Sequence, residues 1–128
     1  MRKITDFKAN FDEYQFQIDV YTKKDGLIIE IISPNDHLGG IGIGIPYSRS
    51  DGSKSANHHS ISIPAHRDAE LAGKLAQIAA KIIQKPVVVI LGIHIAKITP
   101  SQIKKLFSFF EKWFKEIGET ISSDFSLD

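Results

Sequence analysis

Residues 37–46 read His-Leu-Gly-Gly-Ile-Gly-Ile-Gly-Ile-Pro and predict a strand with two very different faces. Successive side chains of a strand point to opposite faces, so the isoleucines and the alternating glycines separate. One face holds Ile41, Ile43 and Ile45, and the other holds Gly40, Gly42 and Gly44. A face without side chains lets a helix, a second subunit or a flat ligand approach the backbone closely. Close packing of a helix is the favoured interpretation, and a ligand groove is the alternative.

The segments around this strand also have β patterns. Apolar and polar residues alternate over 14–21, and an Asp-Gly pair suits the turn before a β-rich run over 27–32. Alternation returns over 58–63, whereas 86–95 is a continuous β-branched run, typical of a strand buried on both faces. These patterns predict five strands. The Ser-rich segment 47–57 is predicted to be an exposed loop.

Two segments have the helical period of 3.6 residues. In the first, apolar residues recur every three or four positions from about Arg67, and the helix stops before Pro86. The second begins at Thr99-Pro100-Ser101-Gln102, which has the residues of a capping box, and is predicted to end at Gly118. The predicted fold class is therefore α+β, a mainly antiparallel sheet of about five strands covered by two helices, in the order β-β-β-β-α-β-α.

The second helix carries more aromatic residues than its main apolar stripe requires. Phe109 and Trp113 lie beside that stripe, which widens the apolar surface of the helix. Two interpretations have equal weight: a surface for a partner protein, or a broad cover for a small sheet.

Length and composition indicate one domain over residues 1–128, with an ordered core of about 10–118 and frayed tails. Apolar residues make up 42% and charged residues 24%, as in a globular protein. The net charge of +1 disfavours a nucleic-acid partner. The absence of cysteine excludes disulfides and thiolate chemistry and fits the cytoplasm, and no apolar run is long enough for a membrane span.

The polar residues offer candidate sites but no decisive catalytic motif. The five histidines lie near predicted strand ends, without the helical spacing of a zinc site, so no metal is expected. His66 and Asp68 precede the first helix, where they would cap it or help to form an anion site. Arg49 and Lys54 of the Ser-rich segment could hold a phosphate. Histidine acid–base chemistry by His66, Asp68 or His94 keeps an enzyme open as an alternative.

Four short motifs, in this order of elements, resemble those of a known family. They are His37-Leu38-Gly39-Gly40, Pro64-Ala65-His66-Arg67-Asp68, Pro86-Val87-Val88-Val89 and Gly92-Ile93-His94. The chain resembles the prenylated flavin chaperone (LpdD-like) family, whose domain is similar to the proteasome assembly chaperones. The resemblance extends from about Tyr14 to Ile117.

The resemblance implies a small non-catalytic chaperone or cofactor-handling protein that assists prenylated-FMN-dependent UbiD-type decarboxylases. It also implies prenylated FMN or FMN as a transient ligand, a UbiD-type client and a homodimer. An assembly chaperone that binds only protein clients is the main alternative. Together with the two cations of the Ser-rich segment, the family positions form the candidate binding set: His37, Gly39, Gly40, Arg49, Lys54, His66, Asp68 and His94.

Overall fold

A computed structural model describes residues 2–33, 37–63, 68–93 and 98–124. Its elements, in chain order, are β1 (Arg2–Phe11), β2 (Tyr14–Lys23), β3 (Gly26–Ile32), β4 (Gly40–Ser48), β5 (Lys54–Ser62), α1 (Asp68–Ile83), β6 (Val87–Gly92) and α2 (Pro100–Asp124). Within the described ranges, neither helix is long and apolar enough to cross a membrane.

The strands form one open mixed sheet in the order β1-β2-β3-β6-β4-β5. Strand β6 runs parallel to β3 and antiparallel to β4, and the remaining neighbours are antiparallel. Strands β3 and β6 can run parallel because helix α1 connects β5 to β6 and carries the chain across the sheet. The α+β class and the cover of two helices are confirmed.

Both helices pack on the same face of the sheet. Phe16 of β2 is fully buried and meets Phe110 of α2 with ring centroids 5.1 Å apart. Alternate residues of β2, β3 and β6 complete this core, as the period of two requires. They are Phe16, Ile18, Val20, Leu27, Ile29, Ile31, Val87, Val89 and Leu91.

The prediction of five strands is wrong, because β1 adds a sixth at the edge of the sheet. Its turn to β2 consists of Asp12 and Glu13, with Asp12 at a φ of 52°. Asp tolerates this left-handed backbone conformation, but a turn without glycine has a weak sequence signal. The alternation of Phe7, Ala9 and Phe11 with polar residues was the available signal.

Strand β1 also accounts for the extra aromatic residues of α2. Phe11 packs on Phe109 with ring centroids 5.4 Å apart, and Phe7 meets Trp113 edge to face at 5.8 Å. Both α2 rings are therefore half-buried against the added strand rather than presented to solvent. The structure thus supports the broad cover and not the partner surface.

The start of α2 is as predicted, but its end is not. Thr99 N donates to Gln102 Oε1 (2.9 Å) and Gln102 N donates to Thr99 Oγ1 (3.1 Å), which completes the capping box. Gly118, the predicted last residue, lies within the helix. Its missing side chain leaves room for Ile82 of α1, whose Cδ1 would be 3.2 Å from a Cβ there. Helix α2 continues to Asp124 because Ile121 is also buried.

The Ser-rich segment 47–57 is mostly strand rather than an exposed loop, which corrects that prediction. β4 continues to Ser48 and β5 begins at Lys54, in register with each other. Only residues 49–53 form the connection, closed by Arg49 N donating to Ser53 O (2.8 Å). Since the polar side chains of a hairpin edge remain exposed, a Ser-rich composition did not distinguish strand from loop.

Candidate functional site

The glycine face of β4 is filled by helix α1. A Cβ at Gly40 would lie 2.5 Å from Ala69 Cα, and one at Gly44 would lie 2.2 Å from the carbonyl oxygen of Ala76. A Cβ at Gly42 would lie 2.2 Å from the carbonyl carbon of Ala72. No ligand fits where a methyl group does not. Close helix packing is therefore the role of this face, and the ligand groove is excluded there.

One end of the sheet gathers part of the predicted binding set. Gly39 joins two strands there: its N donates to Leu91 O (3.0 Å), and its O accepts from Ile63 N (3.1 Å). His37 passes so close to Gly92 that a Cβ on that glycine would lie 1.3 Å from its carbonyl oxygen. The His37–Gly40 motif thus has a clear structural purpose, which is to cross the end of β6.

Three other predicted residues, His66, Asp68 and His94, follow strands β5 and β6 in the sequence. His66 and His94 lie outside the described residues, and so does the side chain of Asp68, at which α1 begins. Whether His37, His66 and His94 form one site stays a prediction. Among the residues that the structure does describe, no three His, Asp or Glu side chains are grouped so as to hold a metal ion.

Arg49 and Lys54 lie at the end of the sheet opposite to the end that holds His37 and Gly39. Arg49 follows β4, whose 9 residues span about 30 Å at about 3.3 Å each. The predicted set therefore does not form one site. The two cations instead border a cleft between the β4–β5 hairpin and the C-terminal halves of α1 and α2.

This cleft has a volume of about 570 Å³ and is strongly basic. Its lining residues are Arg49, Lys54, Ser55, Ala56, Gln77, Ile78, Lys81, Ile82, Lys115 and Glu119. Four cations thus face a single acid, and a small apolar wall from Ala56, Ile78 and Ile82 adjoins them. We name this the basic cleft.

Hydrogen bonds hold the strand side of the basic cleft in place. Arg49 Nη2 donates to Ser55 Oγ (3.2 Å), and Gln77 Nε2 donates to the backbone oxygen of Ala56 (2.7 Å). The oxygen of that amide then accepts from His58 Nδ1 at 3.0 Å. His58 therefore faces α1, while the next residue, His59, points to the other face of the sheet, as the alternation predicted.

The electrostatics of this end are visible in Tyr47, which lies opposite Ser55 in the register. A hydrogen bond from Ser55 and the nearby charge of Arg49 lower the pKa of the Tyr47 hydroxyl. By contrast, burial is the main cause that raises the pKa of both Tyr14 and Tyr21. The hairpin end thus stabilises negative charge on an oxygen.

We expect Tyr47 to ionise first among the 3 tyrosines when the pH is raised. Deprotonation creates a phenolate, which the Ser55 donor and the Arg49 cation stabilise. The Arg49→Gln change should therefore raise the pH at which Tyr47 ionises. Absorbance at the phenolate band, compared with a Tyr47→Phe control, follows each step. An earliest step that survives in Tyr47→Phe would contradict this order.

Sequence reasoning missed the helix residues of the basic cleft, Gln77, Lys81 and Lys115. Lys81 and Gln77 are four positions apart and so share a face of α1, which was an available signal. Nothing local connects them with Arg49 or with Lys115 of α2. Tertiary packing alone brings the three segments together.

Comparison with known proteins agrees with this fold. A yeast chaperone complex for 20S proteasome assembly contains a chain that superposes with a TM-score of 0.61 at 14% sequence identity, covering 93% of this chain and 98% of that chain. At that identity the likeness shows the fold alone. A search of curated proteins gave no match. The profile of the prenylated flavin chaperone LpdD-like domain matches residues 10–122, so the chain belongs to that family.

Proposed function

We propose that this protein is a non-catalytic chaperone that carries prenylated FMN or FMN, with the phosphate of the flavin in the basic cleft. The four cations of the cleft are the observation that supports this proposal. In the proposal, the chaperone is a homodimer, and its client is a UbiD-type decarboxylase that receives the flavin.

The donor set of the cleft suits a phosphate monoester. Arg49 can offer two parallel N–H donors, and Lys54, Lys81 and Lys115 add point charges around the same space. Charge-assisted hydrogen bonds to phosphate are among the strongest in proteins. Four cations around one dianion give an excess of positive charge, so attraction remains although solvent and salt screen these charges. Phosphate binding is therefore the chemistry that this end of the sheet favours.

The size and the apolar wall of the cleft suit the remainder of a flavin. Ligand sites usually measure roughly 300–1,000 Å³, and the cleft is within that range at about 570 Å³. Ile78 and Ile82 offer apolar contact for a ring system or for a prenyl group. In the proposal, the residues of this chain would only hold the flavin, and its chemistry would take place in the client.

Titration with FMN tests the proposal, with flavin fluorescence and the melting temperature as readouts. The wild-type protein should bind FMN and become more stable, because a ligand that binds only the native state stabilises it. Arg49→Ala and Lys81→Ala should each weaken binding by roughly tenfold or more, as expected for one charge-assisted contact. Lys74→Ala is the matched control, since Lys74 is an exposed lysine of the same helix outside the cleft.

Riboflavin, which lacks the phosphate, separates the role of the cations from that of the apolar wall. It should bind at least tenfold more weakly than FMN, and the Lys81→Ala change should barely affect it. Equal affinity for both flavins would contradict a phosphate site. An absence of binding to FMN and prenylated FMN, together with a stable complex between the chaperone and a purified UbiD-type decarboxylase, would favour the protein-only chaperone.

A further inference from the structure

Strand β5 forms one edge of the sheet and is paired on one side only. Its neighbour is β4, and no other element in the described part of the chain pairs with it. All residues from Asn57 to Ser62 are exposed as well, so this part of the strand is open to solvent. An edge strand of this kind presents a row of backbone N–H and C=O groups to its surroundings.

The two edges of the sheet differ in the features that prevent pairing with another chain. Edge strand β1 carries four charged side chains, which are Arg2, Lys3, Asp6 and Lys8. Its register with β2 also shifts between Lys3 and Thr5. Charges and bulges of this kind are the usual protection of an edge. Strand β5 keeps one register with β4 over its 9 residues, and apart from its histidines its one charged residue is Lys54 at the start. The β5 edge is therefore left unprotected.

Two hydrogen bonds at the ends of the β4–β5 ladder show which backbone groups of β5 point outward. Arg49 N donates to Ser53 O (2.8 Å) at one end. Ile63 N donates to Gly39 O (3.1 Å) at the other end, and both bonds continue the register of the two strands. Because the direction of the backbone groups alternates along a strand, the odd-numbered residues of β5 bond to β4 and the even-numbered residues point outward.

The even-numbered residue Ala56 agrees with this alternation. Its backbone oxygen accepts from Gln77 Nε2 of α1 (2.7 Å) rather than from β4, so α1 closes the edge at this point. Beyond Ala56, the outward backbone groups of His58, Ser60 and Ser62 have no partner in the part of the chain that the structure describes. The open length of the edge is therefore residues 58–62.

We propose that this open length of β5 receives an extended segment of the client protein, which adds a strand to the sheet. The inference rests on the client of the proposed function but not on the flavin site. Main-chain hydrogen bonds to His58, Ser60 and Ser62 hold the segment, and side chains on the two faces of β5 select it. Addition of a strand to an exposed edge is a recurring mode of peptide recognition.

The side chains of β5 define the chemistry of this segment. Ile61 lies opposite Ile41 on the sheet face that the helices leave uncovered, and it is 62% exposed. On the other face, Ser60 lies so close to α1 that a Cβ at Gly73 would be 2.0 Å from its hydroxyl oxygen. Since neighbouring strands pair side chains on the same face, the segment carries an aliphatic residue beside Ile61 and small polar residues beside Ser60.

The position of the edge suits transfer of the flavin to a client. Lys54, Ser55 and Ala56 at the start of β5 line the basic cleft. At about 3.3 Å per residue, the open length of the same strand begins only about 13 Å from Lys54. A client segment on β5 thus lies beside the cleft. A second copy of this chain would bring another cleft there and no acceptor for the flavin, so the client is the favoured occupant.

Hydrogen exchange, followed residue by residue by NMR, tests the edge in the complex with a purified UbiD-type decarboxylase. The amides of His58, Ser60 and Ser62 should exchange at least tenfold more slowly in the complex than in the isolated chaperone, because they then donate to the client. The amides of β1, the other edge, should not change. Unchanged exchange along β5 in the complex would overturn the proposal. Failure to form any complex would overturn the client as well, whereas FMN binding by the isolated chaperone would stand.

Two substitutions test the same edge through the affinity for the decarboxylase. Ile61→Lys places a charge on the edge, and Ser62→Pro removes an outward N–H that the β4–β5 ladder does not use. Each should weaken the complex at least tenfold and leave FMN binding unchanged, which shows that the variant is folded. Asn10→Lys, at an exposed position of β1, is the matched control and should keep full affinity. A complex that tolerates both β5 changes would contradict the proposal. So would light scattering in which both changes convert a wild-type dimer to a monomer, since the edge would then belong to a second copy.

Discussion

Replacing Gly42 by valine is expected to destabilise the protein more than any other single change discussed here. A Cβ at this position would lie 2.2–2.3 Å from three backbone atoms of Ala72 and Gly73, so helix α1 itself would have to move. The helix cannot shift without opening the core that it shares with the sheet, because interiors are close-packed. We expect a loss of roughly 4 kcal/mol or more, out of a total of about 5–15 kcal/mol for a domain.

Denaturant unfolding followed by circular dichroism measures this loss, with Gly52→Ala as the control. Gly52 has a φ of +88° but no atom within 4 Å of its Cβ position, so its substitution strains only the backbone. That change should cost about 1 kcal/mol. If Gly42→Val lost no more stability than the control, the close contact between β4 and α1 would be wrong.

Phe110→Ala is expected to have the second-largest effect. The Phe110 ring is fully buried and contacts Phe16 of the sheet and Phe109 of its own helix, with centroids 5.1 and 5.3 Å away. Truncation removes these contacts and leaves a cavity between α2 and β2, at a cost of about 3–5 kcal/mol. The melting temperature should fall by on the order of 10 °C or more, which calorimetry measures.

Ser108→Ala serves as the matched control for this change. Ser108 is exposed two positions away on the same helix, so its replacement should alter stability by no more than about 0.5 kcal/mol. Phe110→Leu, which keeps most of the volume, should lie between the two. A Phe110→Ala protein as stable as Ser108→Ala would mean that α2 does not anchor the sheet through this ring.

Much of the fold could be predicted from local patterns, because these patterns reflect interactions between residues that are close in the sequence. The capping box at Thr99 and Gln102 exists within one turn of helix, so four residues suffice to recognise it. The β2–β3 hairpin was also predicted, although its two-residue turn is Lys24-Asp25 and Gly26 is already the first residue of β3. Strand β1 escaped prediction because its turn lacks glycine, and the end of α2 because Gly118 packs against Ile82 instead of ending the helix.

The candidate site could be predicted only in part. Arg49 and Lys54 were selected from the sequence as possible phosphate ligands, and they do line the basic cleft. Gly40 was selected with them, but its bare face lies under Ala69 at the other end of the sheet. The alternating glycines are compatible both with a packed helix and with a ligand groove, since the pattern indicates only that something approaches the strand closely.

The sequence by itself therefore determined which faces of each element are apolar, where the capped helix begins and that β4 must accept a close neighbour. Only the tertiary structure decided which neighbour fills the glycine face and which apolar face remains uncovered. It also decided that Lys81 and Lys115 join the hairpin cations. The physical reason is range: periodicity and capping act over a few residues, whereas these three outcomes depend on contacts between segments far apart in the chain.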